Sequence, residues 1–304
     1  MAEVTVRDAR HDDCEAIGEV WAAAVPYLVR SADRVAFDLG ADASLGRRHW
    51  VGVVEGRIVG TAVARPVAED EVFLGVEVHP DYGSRGVGLA LLRTAVPAFP
   101  GVTNMAAVCR DDPISLGFAV RNGFLPEGEH QVCRVDPASV ADAGPPPEGL
   151  RAVPLTDLDL ELLLDTHNTA AGDDPSGLSR VYTLRQLHAD WWDSPDNAAG
   201  LSWALVADDP VAPGGSVVAS FTSMQVDRGR RRAWSGMTAT RPSYRGRGLA
   251  TWVKRRTLSS LAEAGVTEAW TANDATNAPM VAVNRALGYS SAAKSISVRR
   301  RLHH

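Results

Sequence analysis

The chain has 304 residues, 45% hydrophobic and 22% charged, with a formal net charge of −6; at about 150 residues per domain this length predicts two globular domains. No apolar run approaches the roughly 18 residues of a membrane span, and the first seven residues lack the basic-then-apolar order of a secretory signal. The odd set Cys14, Cys109 and Cys133, without a CxxC pair, excludes a disulfide framework and a cysteine-built zinc site, so a reduced, cytoplasmic protein without a metal is expected.

Residues 4–7 alternate like a strand, and 12–25 have helical spacing with Asp12 or Asp13 as cap. Residues 50–54 and 57–64 read as a hairpin around Glu55-Gly56, and 71–78 as the next strand. A glycine-rich turn then leads into helical periodicity over 89–96. The clearest break spans 136–149, where Pro145, Pro146 and Pro147 favour an extended spacer. It predicts domains at 1–136 and 150–304 joined by a linker at 137–149. Beyond it, 150–154 reads as a strand, 157–170 as a helix, 202–207, 216–226 and 232–240 as strands, and 249–261 as a helix. All the negative excess lies in residues 1–140, which argues against nucleic acid there and leans mildly towards a cationic small molecule.

The two halves repeat one another. Residues 78–90 and 240–250 both hold Pro, then Tyr, then Arg-Gly-x-Gly-Leu-Ala, with Arg85 and Arg245 160 residues apart. Gly123-Phe124 and Gly288-Tyr289 form a second pair 165 apart. Such a period indicates two copies of one fold. A strand running into a glycine-rich turn and a helix is a phosphate site: glycines let backbone N–H groups approach an anion, and the helix N-terminus adds about half a positive charge.

Both turns, Arg85-Gly86-Val87-Gly88-Leu89-Ala90 and Arg245-Gly246-Arg247-Gly248-Leu249-Ala250, resemble the (Gln/Arg)-x-x-Gly-x-(Gly/Ala) signature of the GNAT superfamily of N-acetyltransferases. Residues 110–124 and 271–289 are similar to that family's second block, which ends in Gly-Phe or Gly-Tyr. The resemblance covers most of each half. It implies an α/β (α+β) fold of two tandem domains, each a mixed, mostly antiparallel sheet flanked by helices, with a splayed acyl-CoA cleft. The pyrophosphate would rest on Arg245, Gly246, Arg247, Gly248, Leu249 and Ala250, or on Arg85, Gly86, Val87, Gly88, Leu89 and Ala90. Pantetheine would pair with the strand edge at Thr238, Ala239 and Thr240, or at Val76 to Val78. The splay would lie near 104–109 and 268–272. Asn273, Asn277 and Met280 complete the second set, whereas Asp112 stands where Asn277 does. The second domain is therefore the preferred acyl-CoA site, and the first is degenerate or substrate-shaping.

Acyl transfer to an amine needs two proton movements. The ammonium must lose a proton before it attacks the thioester, and the CoA thiolate must be stabilised or protonated. Many family members use a tyrosine four residues before the glycine of the Gly-Phe pair; here those positions hold Asn284 and Ala119. Asn284 can donate a hydrogen bond to sulfur. Candidate bases are Glu77, on the fourth strand beside the expected thioester, and Asp173 and Asp174, in the loop after the first helix of the second half. The implied activity is an acetyl-CoA (or other acyl-CoA) dependent N-acetyltransferase acting on a small-molecule amine, with no nucleic-acid or membrane partner, as monomer or homodimer. The alternatives are a non-catalytic acyl-CoA-binding or sensing protein, or other acyl-thioester chemistry such as O-acyl transfer or decarboxylation.

Overall fold

A computed structural model describes residues 3–40, 45–173, 179 and 181–302. Its contacts divide the chain into two compact units. The first runs to Glu129 and takes in the chain from Lys294 onward; the second is His130–Ala293.

The first unit opens with β1 (Val4–Asp8), α1 (Cys14–Ala24) and α2 (Ala32–Leu39). The meander β2 (Arg48–Val54), β3 (Arg57–Ala68) and β4 (Glu71–Val78) follows, then α3 (Val87–Ala95), β5 (Asn104–Arg110) and α4 (Pro113–Arg121). Helix α2 is short, and nothing in its composition marked it in the sequence. It is started by Ser31, whose hydroxyl accepts a hydrogen bond from the Arg34 N–H. After β6 (Leu125–Val135), the second unit repeats the order: β7 (Leu150–Pro154), α5 (Leu160–Ala171), α6 (Leu184–Leu187), β8 (Trp203–Asp208), β9 (Ser216–Asp227), β10 (Arg232–Thr240), α7 (Leu249–Glu263), β11 (Glu268–Asp274) and α8 (Ala278–Ala286). β12 (Ser290–Arg301) is the last strand.

In the first unit the strand order is β1-β2-β3-β4-β5-β12, antiparallel except for β4 beside β5. In the second it is β7-β8-β9-β10-β11-β6, antiparallel except for β10 beside β11. Each is the mixed, mostly antiparallel sheet the family resemblance implies. The last strand of each comes from the far part of the sequence. Residues 295–301 pair with 104–110 in the first unit, and residues 130–135 pair with 269–274 in the second. A division at 137–149 assigns both strands the other way round.

The first core packs Trp50, Leu74, Leu91 and Met105 with Val298 from β12; each such side chain contributes about 1.5–3 kcal/mol on burial. Glycines seat α3 closely on β2 and β3. A Cβ built on Gly60 would lie 2.7 Å from Val87 Cγ1, and one on Gly52 would lie 2.9 Å from the same atom. Those two residues thus set where the helix N-terminus sits. Among the described residues, no helix is long and apolar enough to cross a membrane, and no group of three His, Cys, Asp or Glu could hold a metal ion.

Candidate active site

The glycine-rich turns have the same backbone in the two units. In the first, Tyr82 N–H and Gly83 N–H donate to the carbonyls of His79 and Pro80; in the second, Tyr244 and Arg245 donate to Arg241 and Pro242. Left-handed residues follow at Ser84 (φ 61°) and Gly86 (φ 85°), matched by Gly246 (φ 75°) and Gly248 (φ 73°). Gly86 starts α3 and Gly248 starts α7. The guanidinium of Arg85 lies 5.0 Å from the Tyr82 ring centre, and that of Arg247 lies 5.2 Å from Tyr244. The structural repeat is therefore 162 residues, not the 160 that aligns Arg85 with Arg245. Arg85 corresponds to Arg247, and Arg245 to Gly83.

In both turns several N–H groups open the helix with no partner among the described residues: those of Arg85, Gly86, Val87 and Gly88, and of Arg247, Gly248, Leu249 and Ala250. With the helix dipole behind them, both fit a pyrophosphate. A Cβ on Gly86 or Gly248 would meet no atom within 4 Å, so the glycines are needed for their positive φ and leave open space in front of the turn. An acyl-CoA held at such a turn would supply an activated thioester carbonyl.

The cleft beside each turn is a strand splay. The parallel ladder of β4 and β5 ends at Phe73 and Ala106, leaving Val76, Glu77 and Val78 unpaired on that side. The ladder of β10 and β11 ends at Trp234 and Trp270, leaving Thr238, Ala239 and Thr240 likewise. The hydroxyls of Thr238 and Thr240 are engaged with Thr222 and Ser220 of β9, so the polar group these residues offer the cleft is backbone, as an added-strand mode of binding requires.

The two clefts differ in their side chains. In the first, Glu77 points to the face of β4 that carries Gly75, over which lies the Trp21 ring of α1. Its surface is partly accessible, yet it is densely surrounded, as a group on a cleft wall is. Burial pushes its carboxyl up to about 8, against the opposing pull of Arg110 and Arg30. The buried Tyr27 hydroxyl, just past α1, is pushed up to about 12 by burial and by the Glu77 charge. Cys109 is pushed up to about 11 by burial and the acids Asp112, Asp111 and Glu77, so it stays a thiol. Arg110 bridges this group to Asp112, with Nε 3.2 Å from Oδ2. Tyr27 and Arg110 were not singled out in the sequence, where nothing links them to Glu77.

In the second cleft the position of Glu77 is held by Ala239, packed with Leu163, Trp191 and Phe221. Asp173 is held in an ion pair. Its carboxylate is 2.7 Å from Arg245, which also donates to the Thr240 carbonyl. Asp174 lies outside the described residues. Asn284 is buried and donates its amide to Asn273. Asn277 caps α8 by accepting from the Met280 N–H at 3.2 Å, as Asp112 caps α4 from Ile114 and Ser115. At the position of Glu77 the second unit thus carries a methyl group in place of a carboxylate.

Residues 10–124 and 169–289 both match the acetyltransferase (GNAT) family. The chain belongs to that family. A mycothiol acetyltransferase of Nocardioides sp. is 28% identical over 285 residues, spanning 89% of this chain and 94% of that protein. A tandem GNAT protein from the clavulanic acid biosynthesis pathway has a TM-score of 0.71 at 20% identity, with 98% of each chain covered. A GCN5-related N-acetyltransferase of Sphaerobacter thermophilus scores 0.69 at 20% identity, covering 98% of this chain and 95% of its own. These two structures share the fold. As a GNAT acetyltransferase the chain is an acyl-transfer enzyme, built as the family's tandem form.

Proposed function

We propose that the first unit transfers an acyl group from acyl-CoA, acetyl-CoA in the simplest case, to the amine of a small molecule, with Glu77 as general base. The observation that carries this reading is the position of Glu77 on the unpaired stretch of β4, three residues before the turn that begins at Pro80. A base raised to about 8 is well matched to an ammonium near 10: once ionised, it takes the proton that blocks attack on the thioester. Tyr27, protonated at any working pH, keeps Glu77 in company with a neutral hydroxyl instead of a second anion. Arg110 limits how far burial raises the base. With a leaving thiol near 8.5, no dedicated acid is required.

The second unit favours a further reading for itself: binding of acyl-CoA without a carboxylate-assisted transfer, supported by Ala239 at the base position and by Asp173 held on Arg245. The free thiols Cys14, Cys109 and Cys133 suit a reducing, cytoplasmic setting. The test is product mass after incubating the full chain with acetyl-CoA and a panel of small amines. An acetylated amine formed by the wild type and lost in Glu77→Gln, with acetyl-CoA binding kept by calorimetry, supports the proposal. Equal product from both proteins would overturn it.

A further inference from the structure

The connection between α1 and α2, residues 25–31, brings two polar side chains to the side of the first cleft. Tyr27 is one, and it feels the Glu77 charge. Arg30, three residues on, is the other. Its guanidinium carbon lies 4.5 Å from the centre of the Trp21 ring. The same ring reaches β4, where a Cβ built on Gly75 would stand 3.7 Å from its Cη2. Gly75 and Glu77 share one face of the strand, about 7 Å apart. Trp21 thus connects the strand that carries the base to Arg30.

The acid of this cluster is Asp38. It accepts from Arg34 Nε and Arg47 Nη1, each at 3.0 Å, whereas Arg30 stands 3.6 Å away, outside hydrogen-bond distance. The Asp38 side chain is 7% exposed and that of Arg30 22%, so of this pair Arg30 is the one a small molecule can touch. Its charge is felt on both sides. It pulls the Glu77 carboxyl down against burial, and it helps burial hold His49 at about 4, where its effect exceeds the opposing one of Asp38. A cation–π contact holds a guanidinium in place without using its N–H donors. The planar fork of those donors matches a carboxylate. Anchoring α2 accounts for Arg34 and Arg47, but not for an accessible arginine set on the aromatic ring that covers the strand of the base.

We propose that Arg30 is a specificity residue of the first cleft and receives a carboxylate of the acceptor. The substrate class is then a small amino acid, with its amine at Glu77 and its carboxylate at Arg30. The spacing from Glu77 past Gly75 and Trp21 favours an amine and a carboxylate several bonds apart, as in an ω-amino acid. Arg30 takes no part in the proton movement, which still runs from the ammonium to Glu77; it binds and orients. The net negative charge of residues 1–140 does not oppose this, because the field in one cleft is set by the groups that line it. The inference rests on the acyl transfer proposed for the first unit.

The test is run on the full chain with saturating acetyl-CoA and ω-amino acids of three to six carbons, each compared with its own carboxamide. In the wild type, kcat/KM for the acids is expected to exceed that for the amides by about tenfold or more, with the difference carried by KM. That gap should close in Arg30→Met, with kcat for the amides and acetyl-CoA binding by calorimetry kept. Should Arg30→Met fail to fold, the wild-type comparison of acid with amide decides alone. Equal kcat/KM for acids and amides, with turnover still dependent on Glu77, would overturn this inference and leave the proposed function standing. A gap that survives in Arg30→Met would overturn the role of Arg30. No product from these or any other small amine would overturn both.

Discussion

Glu77 lies three residues before Pro80 and Ala239 three residues before Pro242, at the same place in two otherwise matching turns. One unit therefore has an ionisable group at the mouth of its splay, and the other has a methyl group. The turn hydrogen bonds, the left-handed positions and the end of the parallel ladder are shared.

The pH dependence of turnover follows from that carboxyl. Glu77 serves as base only when ionised, and its carboxyl is raised to about 8. Amine-dependent CoA release at saturating acetyl-CoA is expected to climb through pH 7 to 9. Glu77→Gln should be lower by about a hundredfold or more, and should lose that limb of the profile.

Stability should move the opposite way. A carboxyl raised in the folded state is held in its neutral form, so its favourable contribution is complete below the unfolded value near 4.5 and is lost as pH rises through about 8. Thermal melts are expected to show Glu77→Gln matching the wild type at pH 5 and exceeding it at pH 9. Equal melting temperatures at pH 9 would mean that Glu77 ionises there without penalty.

The seat of α3 can be tested by one methyl group. Gly60→Ala brings a Cβ to 2.7 Å from Val87 Cγ1 and 3.0 Å from Leu91 Cδ1. Overpacking of this kind costs about 1–3 kcal/mol, and it pushes the helix that carries the anion turn. A lower melting temperature with weakened acetyl-CoA binding is expected, read by calorimetry.

The strand exchange makes a residue near the C-terminus part of the first unit. Val298 is buried with Trp50, Leu74 and Met105. Val298→Asp places an unpaired charge there, at a cost of about 3 kcal/mol or more. Loss of Glu77-dependent turnover is expected, although residue 298 lies far beyond the proline-rich segment. Retained turnover would detach β12 from the first unit.

Much of this was legible in the residues. Pro, Tyr and closely spaced glycines announced both turns, because that backbone needs left-handed residues at fixed places. The register was not legible. Arg-Gly recurs in two phases, and the alignment followed Arg85 and Arg245, whereas the φ angles follow Ser84 with Gly246 and Gly86 with Gly248. Glu77 was visible as an acid on a strand, but its company was not: Tyr27 and Arg110 reach it only through tertiary packing. Asp173 was visible as an acid in a loop, but its pairing with Arg245 was not, since that cation lies 72 residues away in the sequence. The last strands were missed because their pairing is distant in sequence and β12, with Lys294, Arg299, Arg300 and Arg301, lacks an apolar run. The boundary at 137–149 came from local chain stiffness, which says nothing about which sheet a strand joins.

The most direct measurement compares three full-length proteins in one assay of amine-dependent CoA release: wild type, Glu77→Gln and Arg247→Glu. Arg85 and Arg247 occupy equivalent sites over their tyrosines, so charge reversal at Arg247 weakens only the second turn. Turnover lost in Glu77→Gln and kept in Arg247→Glu is the expected result. Turnover kept in Glu77→Gln and lost in Arg247→Glu would contradict it and move the chemistry to the second unit.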